Sequence, residues 1–361
     1  DRLTNRTRRG LPDRLSSPRN SVSGTTLSNR STDATNFLHI TYLIVAVLLF
    51  YIELLYFRIA KHYNIVDKPN SRSSHAHVTL RGGGIIFPIG ILIWAIAFGF
   101  VYPWFIGGLT IISIISFMDD IHPLPDSIRL VFQFISIIMM FNQVGVLKPE
   151  AWWLIILILI LCVGILNAYN FMDGINGITG GYSLAVLFPL ILMNTAQPFI
   201  NMPLLVISSL SVLVFCLFNF RKHAKCFAGD IGAVSMAFII VFALIMLVIK
   251  TKDFTYIIFL AVYGIDTVLT ICHRLLMREN LGVAHRKHAY QLMANELSIS
   301  HVKVSLIYAI LQLLISLGLI FLPINHLLYS IIVLMTLSGT YILFMKKYYH
   351  LHDEYLRTLK N

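Results

Sequence analysis

The stretch WFIGGLTIISIISFMDDIHPLPD, residues 104–126, places a run of apolar residues directly before two adjacent carboxylates. The apolar part has the composition of a membrane-spanning helix, and similar runs recur along the chain. Two acids at the mouth of such a helix are costly unless their charge is compensated. We therefore take Asp119 and Asp120 as functional candidates, against the simpler alternative of solvated groups at a helix end.

The composition indicates a membrane protein built from many helices. Of the 361 residues, 57% are hydrophobic and 12% are charged, and the apolar residues cluster in runs of bilayer-spanning length. The predicted fold class is an all-α, polytopic membrane bundle with about eleven transmembrane helices. The predicted spans are 37–59, 84–101, 103–118, 127–144, 151–167, 181–195, 202–219, 232–250, 255–273, 303–321 and 326–345.

The first 36 residues differ from the rest of the chain. They contain seven arginines, are rich in Ser, Thr and Asn, and lack apolar periodicity. We predict a disordered tail, or one foreign to the native protein, over 1–36, a transmembrane catalytic domain over 37–345 and a cytoplasmic C-terminal tail over 346–361. An Arg-rich tail that binds nucleic acid or anionic lipid is an alternative. The four cysteines lack the spacing of a disulfide framework or a zinc site.

The polar connections between spans fall on one side of the predicted membrane. Beyond the N-terminal tail, nearly all Lys and Arg residues lie in alternate connections, with Lys148, Lys250 and Lys252 as the exceptions. The positive-inside rule places these connections in the cytoplasm. The loops with carboxylates, amides or several glycines belong to the same set, which predicts one composite site at the cytoplasmic face.

These loops carry the groups that phosphoryl chemistry needs. NAYNFMDGINGITGG (167–181) spaces Asn and Asp oxygens three residues apart, and KCFAGDIGA (225–233) places Asp230 before a predicted span. Hard oxygen ligands suit Mg²⁺, and a helix N-terminus suits a phosphate. RSSHAHVTLRGGG (72–84) and HRKHAYQ (285–291) add basic residues that favour anions. For each loop alone, the alternative is structural: a Gly-rich turn, a helix cap or a basic surface loop.

Asp266 lies within the ninth predicted span, where an ionisable group is functional by default. We predict that its partner is Arg274, about two helical turns later. A purely structural ion pair is an equally good interpretation of these two residues.

Taken in order, the motifs resemble those of the polyprenyl-phosphate N-acetylhexosamine-1-phosphate transferases of glycosyltransferase family 4. The resemblance covers residues from about 60 to 300. The matching stretches are DKPNSRSSHAHVTLRGGG, MDDIHPLPDSIRL, NAYNFMDGINGITGG, FNFRKHAKCFAGDIGA, YGIDTVLTICHRL and HRKHAYQ. It implies transfer of a sugar-1-phosphate from a UDP-sugar to undecaprenyl phosphate. The products would be undecaprenyl-diphosphate-sugar and UMP, in the initiation of a cell-surface polysaccharide such as O-antigen or capsule.

The resemblance also implies roles for individual residues. The catalytic residues would be Asp119, Asp120 and Asp173, and the ligands of Mg²⁺, with Mn²⁺ as a substitute, would be Asn170 and Asp230. The implied nucleotide-binding residues are Gly174, Ile175, Asn176, Asn219 and Phe227. The implied diphosphate- and sugar-binding residues are His75, Arg81, Arg286 and His288.

The partners that the resemblance implies are a UDP-N-acetylhexosamine donor, an undecaprenyl phosphate acceptor and the lipid bilayer of the bacterial inner membrane, with no nucleic acid. It leaves room for a homodimer. The segment HRKHAYQ departs from the triple histidine of the muramyl-pentapeptide branch. It favours UDP-N-acetylglucosamine or a UDP-N-acetyl-6-deoxyhexosamine as the donor, and the choice of sugar stays open.

Two other classes compete with this interpretation. A secondary transporter places its site near the bilayer midplane between repeated halves, whereas the polar groups here lie in loops and no repeat is visible. A membrane prenyltransferase needs Asp-rich motifs on two similar helical segments. This chain has one adjacent Asp pair and single acids in dissimilar loops.

Overall fold

The computed structural model describes residues 23–69, 74, 77–148, 150, 152–280, 282 and 285–358. The chain divides into two units, Asp1–Leu43 and Ile44–Asn361. Of the first unit, the structure describes the helical residues from Ser23 onward. Residues 1–22 of the predicted disordered tail lie outside the described residues. Every residue of the site described below belongs to the second unit.

Helices make up almost all of the described chain. The α-helices are α1 (Ser23–His62), α2 (Ile86–Phe98), α3 (Pro103–Ile121), α4 (Asp126–Val144), α5 (Trp152–Met172), α6 (Ile178–Ala196), α7 (Met202–Asn219), α8 (Gly229–Thr251), α9 (Ala261–Leu276), α10 (Ala289–Asn295), α11 (His301–Phe321) and α12 (His326–Thr358). Two 3₁₀ segments, Gly83–Ile85 and Phe254–Leu260, precede α2 and α9. The short strands β1 (Val66–Asp67) and β2 (Thr79–Leu80) form an antiparallel pair.

The helices confirm the predicted fold class. Among the described residues, 10 helices are long and apolar enough to cross a membrane, and the shorter segment Gly83–Phe98 is apolar as well. Together these segments match the predicted spans in order, so the chain is a multi-pass helical membrane protein. The terminal helices extend past the limits predicted for the transmembrane domain, since α1 begins at Ser23 and α12 continues to Thr358.

Helix α8 is the central element of the second unit. It packs against α2, α3, α5 and α6, and 83% of its most apolar window is buried, against 11% for α12. A helix that is apolar on all sides belongs in the middle of a bundle, where each face meets another helix. The N-terminus of α8 at Gly229 therefore lies among the loops that surround it.

Prolines set the hairpin that brings α3 and α4 together. Pro123 and Pro125 follow the end of α3 and cannot continue it, so the chain turns and α4 begins at Asp126. Helices α3 and α4 then pack as neighbours. We call the end of the bundle where α3, α5 and α7 end, and α4, α6 and α8 begin, the site end.

Candidate active site

Two loop segments form the backbone frame of the site. Phe227 N donates to Leu80 O at 2.8 Å, and Gly83 N donates back to Phe227 O at 2.8 Å. A Cβ on Gly84 would lie 2.2 Å from Gly232 Cα, so only glycine allows these backbones to approach so closely. The glycines that end the stretch RSSHAHVTLRGGG therefore let the loop before α2 pack on the start of α8.

Asp120 is bound to the N-terminus of α8. Its Oδ1 accepts from Asp230 N at 2.9 Å and its Oδ2 from Ile231 N at 3.0 Å. Arg81 Nε lies 2.7 Å from the same Oδ1, and the Asp120 side chain is fully buried. The carboxylate thus caps a neighbouring helix and is stabilised by its N-terminal dipole. Gly229, at φ +72°, leaves the space for it, because a Cβ there would lie 2.5 Å from Asp120 Oδ2.

Asp119 faces a different set of groups. Its Oδ1 accepts from Leu124 N at 2.6 Å, and its Oδ2 lies 2.9 Å from Arg129 NH1. Its carboxyl group is also hydrogen-bonded to that of Asp230. Successive helix residues point in different directions, so Asp119 and Asp120 are divided between two environments. The acid that pairs with Asp119 comes from α8 and not from its sequence neighbour.

Asp230 lies between two guanidinium groups. Arg81 NH2 donates to its Oδ1 at 3.2 Å, and Arg129 NH1 donates to its Oδ2 at 3.3 Å. Three carboxyl groups, from Asp119, Asp120 and Asp230, therefore share two arginines in a mostly buried cluster. We call these five residues the acid–arginine cluster. It supplies both signs of charge at one point, which suits the transfer of a phosphoryl group.

Asp173 follows the end of α5 and faces the cluster across the site. Its Oδ1 accepts from Thr179 Oγ1 at 2.5 Å, and the backbone N–H of Gly229 also donates to its carboxylate. Burial raises the pKa of Asp173 to about 6, although the hydrogen bonds from Thr179 and Gly229 oppose the shift. Asp173 is therefore mostly ionised at neutral pH and titrates just below it.

The first cavity at the site end has a volume of about 310 Å³ and polar walls. Arg81, Asn170, Asp173 and Asp230 line it together with Gln291 from α10. Its other lining residues are Asp67, Ser74, Gly174, Ile175, Phe227 and Gly229. Residues from four separate stretches of the sequence thus converge on one cavity, as the sequence predicted for a composite site.

The second cavity is larger, about 580 Å³, and its walls combine cationic and apolar groups. Arg129 and Arg274 supply the charge, and the apolar part comes from Leu130, Phe171 and Ile271. The other lining residues are Asp126, Gln133, Asn167, Gly282, His285 and His288. Because Arg129 lines this cavity and contacts Asp230 of the first, the Arg129–Asp230 pair lies between the two.

Two histidines line the second cavity: His288 is buried, and His285 is half-buried. Burial, followed by the neighbouring charges of His288 and Arg274, lowers the pKa of His285 to about 3, so His285 is neutral at pH 7. His288 Nδ1 lies 3.3 Å from Asp266 Oδ1, whereas its Nε2 has no hydrogen-bond partner within the described residues. The orphaned nitrogen of a buried histidine at a cavity wall is suited to a polar ligand.

Comparison with known proteins places this site in a family. Residues 102–248 match the family model described as glycosyl transferase family 4, an interval that includes Asp119, Asp120, Arg129, Asp173 and Asp230. In this interval the chain is similar to glycosyl transferase family 4. The family resemblance of the motifs is thereby confirmed.

Three relatives show how far the similarity of this chain extends. The Bacillus subtilis (strain 168) protein named "Probable undecaprenyl-phosphate N-acetylglucosaminyl 1-phosphate transferase" is 28% identical over 264 residues, 67% of this chain and 73% of the relative. The Escherichia coli (strain K12) undecaprenyl-phosphate alpha-N-acetylglucosaminyl 1-phosphate transferase is 26% identical over 58% of this chain and 63% of its own. The Thermotoga neapolitana phospho-N-acetylmuramoyl-pentapeptide-transferase is 26% identical over 42% of this chain and 50% of its own.

The residues that the resemblance assigned to the nucleotide divide into two groups in the structure. Gly174, Ile175 and Phe227 line the first cavity. Asn176 and Asn219 lie behind it and bind backbone: Asn176 Nδ2 donates to Arg221 O at 3.0 Å, and Asn219 Oδ1 accepts from Gly177 N at 2.7 Å. The two amides hold the loops that form the cavity wall.

The residues assigned to the diphosphate and sugar are also separated. Arg81 belongs to the acid–arginine cluster and His288 lines the second cavity. Arg286 instead pairs with Glu296, with Arg286 NH2 lying 3.0 Å from Glu296 Oε1. His75 lies outside the described residues.

Asp266 binds other groups than the predicted Arg274. It accepts from Tyr308 Oη at 2.6 Å and from Ala289 N at 3.0 Å, besides its contact with His288. Arg274 Nε lies 3.1 Å from Glu279 Oε2. The acid is therefore a structural anchor for the start of α10, and these partners come from two distant parts of the chain.

Proposed function

We propose that this chain transfers an N-acetylhexosamine-1-phosphate from a UDP-sugar to undecaprenyl phosphate, giving undecaprenyl-diphosphate-sugar and UMP. The observation that carries the proposal is the Arg129–Asp230 contact of 3.3 Å between a polar cavity and a cationic, partly apolar one. The printed names of the Bacillus and Escherichia coli relatives support the acceptor and the N-acetylglucosaminyl 1-phosphate group. Such a reaction is suited to initiate a cell-surface polysaccharide.

The first cavity is the proposed donor site. Its backbone and side chains at Gly174, Ile175 and Phe227 offer a surface for the nucleoside, while Arg81 brings a positive charge for the diphosphate. Arginine donates through a planar fork that matches phosphate oxygens. A donor diphosphate would compete with Asp120 and Asp230 for Arg81, so donor binding would free carboxylate oxygens for a cation.

The oxygen donors of this cavity suit Mg²⁺. Asn170 and Asp230 line it, and the carboxyl group of Asp119, which is hydrogen-bonded to that of Asp230, offers further oxygens to a divalent cation. Within the described residues no three His, Cys, Asp or Glu side chains form a ready metal cage. Mg²⁺ usually binds through one or two carboxylates together with substrate phosphates and water, so a complete cage is not required. When bound, Mg²⁺ (or Mn²⁺) would neutralise charge on the donor diphosphate.

The second cavity is the proposed acceptor site. Arg129 and Arg274 attract a phosphate, and the apolar wall of Leu130, Phe171 and Ile271 suits the first carbons of a prenyl chain. His288 Nε2 is free to bind a phosphate oxygen. An acceptor held here would meet the donor at the Arg129–Asp230 pair.

The reaction then requires little covalent chemistry from the protein. An oxygen of the lipid phosphate attacks the phosphorus that carries the sugar, and the bond from this phosphorus to the bridging oxygen of UMP breaks. UMP leaves with that oxygen and its electron pair. Any proton on the attacking phosphate passes to a carboxylate of the cluster, for which Asp119 is placed beside Arg129. Arg81 and Arg129 stabilise the charge that spreads over the transferred phosphoryl group.

We also propose that the site end lies on the cytoplasmic face of the bacterial inner membrane. The connections at this end carry most of the Lys and Arg residues beyond the N-terminal tail, as the positive-inside rule requires for cytoplasmic loops. UDP-sugars would reach the first cavity from that side. The acceptor would approach the second cavity from the bilayer through its apolar wall.

A donor panel tests the proposed function. Purified protein with Mg²⁺ and undecaprenyl phosphate is incubated with UDP-N-acetylglucosamine, UDP-N-acetylgalactosamine and UDP-N-acetyl-6-deoxyhexosamines, and UMP is quantified. We expect UMP from at least one donor, only when the lipid phosphate is present. Absence of UMP across the whole panel would contradict the proposal.

The hydrogen bond from Thr179 to Asp173 predicts a shift in pH dependence. It stabilises ionised Asp173, so Thr179→Val should raise the pKa of Asp173 above about 6, by roughly one unit. If transfer requires ionised Asp173, the acid limb of kcat/KM, which reports the free enzyme, moves to higher pH by the same amount. Thr179→Ser retains the hydroxyl and is the matched control. An unshifted limb in the valine variant would show that another group sets it.

A further inference from the structure

Helix α12 continues well past the length that a membrane requires. Its 33 residues correspond to about 50 Å of helix, whereas the hydrocarbon core of a bilayer is about 30 Å thick. We call residues 346–358 the α12 extension. It lies at the site end, since α12 runs in the same direction as α3, α5 and α7.

The α12 extension makes a buried ionic contact with the segment around α10. His352 Nδ1 lies 2.9 Å from Glu296 Oε1, and Arg286 NH2 lies 3.0 Å from the same oxygen. The side chains of His352 and Glu296 are only 2% and 4% exposed. The Arg286 guanidinium also rests over the ring of Tyr355, 4.2 Å from its centroid. His352 and Tyr355 of the α12 extension thus contact Glu296 and Arg286, which are the two partners of one ion pair.

Stability alone does not account for this cluster. A buried ion pair costs much of its Coulomb energy in desolvation, and apolar residues of similar volume often stabilise a protein as well or better. Glu296 Oε2 and Arg286 Nε find no hydrogen-bond partner among the described residues. Burial raises the pKa of Glu296, but the hydrogen bonds from His352 and Arg286 reverse this effect and leave its pKa below the usual value. The ionised form is therefore specifically maintained.

Arg286 and Glu296 bracket a segment that reaches both cavities. Between them, His288 lines the second cavity and Gln291 lines the first. Tyr290 Oη donates to Phe171 O at 2.9 Å, which ties the same segment to the end of α5. The Arg286–Glu296 pair closes residues 286–296 into a loop. Asp266 of α9 and Phe171 of α5 hold the middle of this loop, and His352 of α12 holds its end at Glu296.

We propose that His352 is a positioning residue for sugar-phosphate transfer: by donating from Nδ1 to Glu296, it holds residues 286–296 so that His288 and Gln291 face their cavities. The proposal rests on the proposed function for its kinetic consequence. Its structural consequence, the ordering of residues 286–296, does not depend on which substrates bind. His352 itself lines neither cavity, so it acts through Glu296.

The test separates the hydrogen bond from the volume of the imidazole ring. In His352→Asn the amide nitrogen can replace Nδ1 as the donor, whereas His352→Phe keeps the ring and removes the donor. We expect His352→Phe to lower kcat about tenfold with donor KM within about twofold, and His352→Asn to stay within about threefold of wild type. His350→Phe, at an exposed position of the same extension, is the control and should behave as wild type.

Hydrogen–deuterium exchange gives a readout independent of turnover. We expect residues 286–296 to exchange faster in His352→Phe than in the wild type, in His352→Asn and in His350→Phe. Glu296→Gln, which keeps the shape and removes the charge, should accelerate the same residues and provides the test if His352→Phe does not fold. Unchanged exchange in both, or loss of activity in His352→Asn with retention in His352→Phe, would overturn the proposal. Wild-type protein that orders this segment yet releases no UMP would contradict the proposed function alone.

Discussion

Asp230→Asn is expected to lower kcat for sugar-phosphate transfer on the order of a thousandfold. The carboxylate of Asp230 lines the first cavity and contacts both Arg81 and Arg129. An amide cannot balance two guanidinium groups, and it is a weaker ligand for Mg²⁺ than a carboxylate. The fold should survive, because the capping contact at this position uses the backbone N–H of Asp230. Steady-state UMP release and the thermal midpoint in detergent measure the two effects.

Asp120→Asn provides the contrast to Asp230→Asn. The two oxygens of Asp120 accept from Asp230 N and Ile231 N. An amide would turn its NH₂ group toward a donor or toward Arg81, and a buried unsatisfied group costs about 1–3 kcal/mol. Asp120→Asn should therefore lower the thermal midpoint as well as the activity.

Asp230→Asn with more than about a tenth of wild-type kcat would contradict the assignment of Asp230.

Arg129→Ala is expected to lower kcat/KM for the lipid acceptor about a hundredfold, with donor KM within about twofold. Arg129 contacts Asp119 and Asp230 and lines the second cavity, so its removal leaves Asp119 without its arginine and Asp230 with Arg81 alone where the acceptor phosphate must approach. Arg129→Lys should recover only part of the loss. A lysine ammonium is a compact charge and cannot replace a planar guanidinium group that hydrogen-bonds to several oxygens at once. Initial rates at varied acceptor concentration measure the effect.

Asp126→Asn is the matched control for Arg129→Ala. Asp126 is the third acidic partner of Arg129, at 2.6 Å, but its side chain is 80% exposed. Exposed ion pairs contribute about 0–1 kcal/mol. Although Asp126 also lines the second cavity, this variant should therefore lose much less activity than Arg129→Ala. Equal losses in Asp126→Asn and Arg129→Ala would show that Arg129 acts by supporting the first turn of α4 and not at the cavity.

Much of the fold could be predicted from the sequence because membrane spans are set by local composition. Apolar runs of bilayer length need no knowledge of distant residues, and their order was predicted correctly. The acidic residues of the site could be identified from the sequence for the same reason, because Asp119, Asp173 and Asp230 stand at the ends of such runs. The structure brings them together because the runs alternate in direction.

The contacts between loops could not be predicted in this way. Arg129 belongs to the quoted stretch DSIRL, yet its role depends on the register of the α3–α4 hairpin, which places it opposite Asp119. The capping of α8 by Asp120 depends on how two helices cross. Thr179 and Gln291 became candidates only through their positions, since neither residue type signals chemistry alone. A hydroxyl six residues after an Asp in a Gly-rich loop is the only sequence signal that could have suggested Thr179.

The roles of the amides and glycines could not be predicted for the same reason: they depend on contacts between distant parts of the chain. Asn176 and Asn219 sit in polar loops that the resemblance assigned to the nucleotide, and the structure uses both to bind backbone. Gly84 packs against Gly232 of α8, so a Cβ on Gly84 is excluded by the protein itself and not by a ligand. Residues that build a cavity wall and residues that contact its ligand have similar composition. Only the direction of each side chain separates them.

The most direct test of the central claim is the fate of a labelled phosphorus. Wild-type protein is incubated with undecaprenyl phosphate, Mg²⁺ and the UDP-N-acetylhexosamine selected by the donor panel, with ³²P in the phosphate that carries the sugar. We predict that the label enters the lipid fraction in step with UMP release, and that Asp230→Asn abolishes both. Label that remains in the aqueous phase as UDP while sugar enters the lipid would show transfer of the sugar alone and would contradict the account.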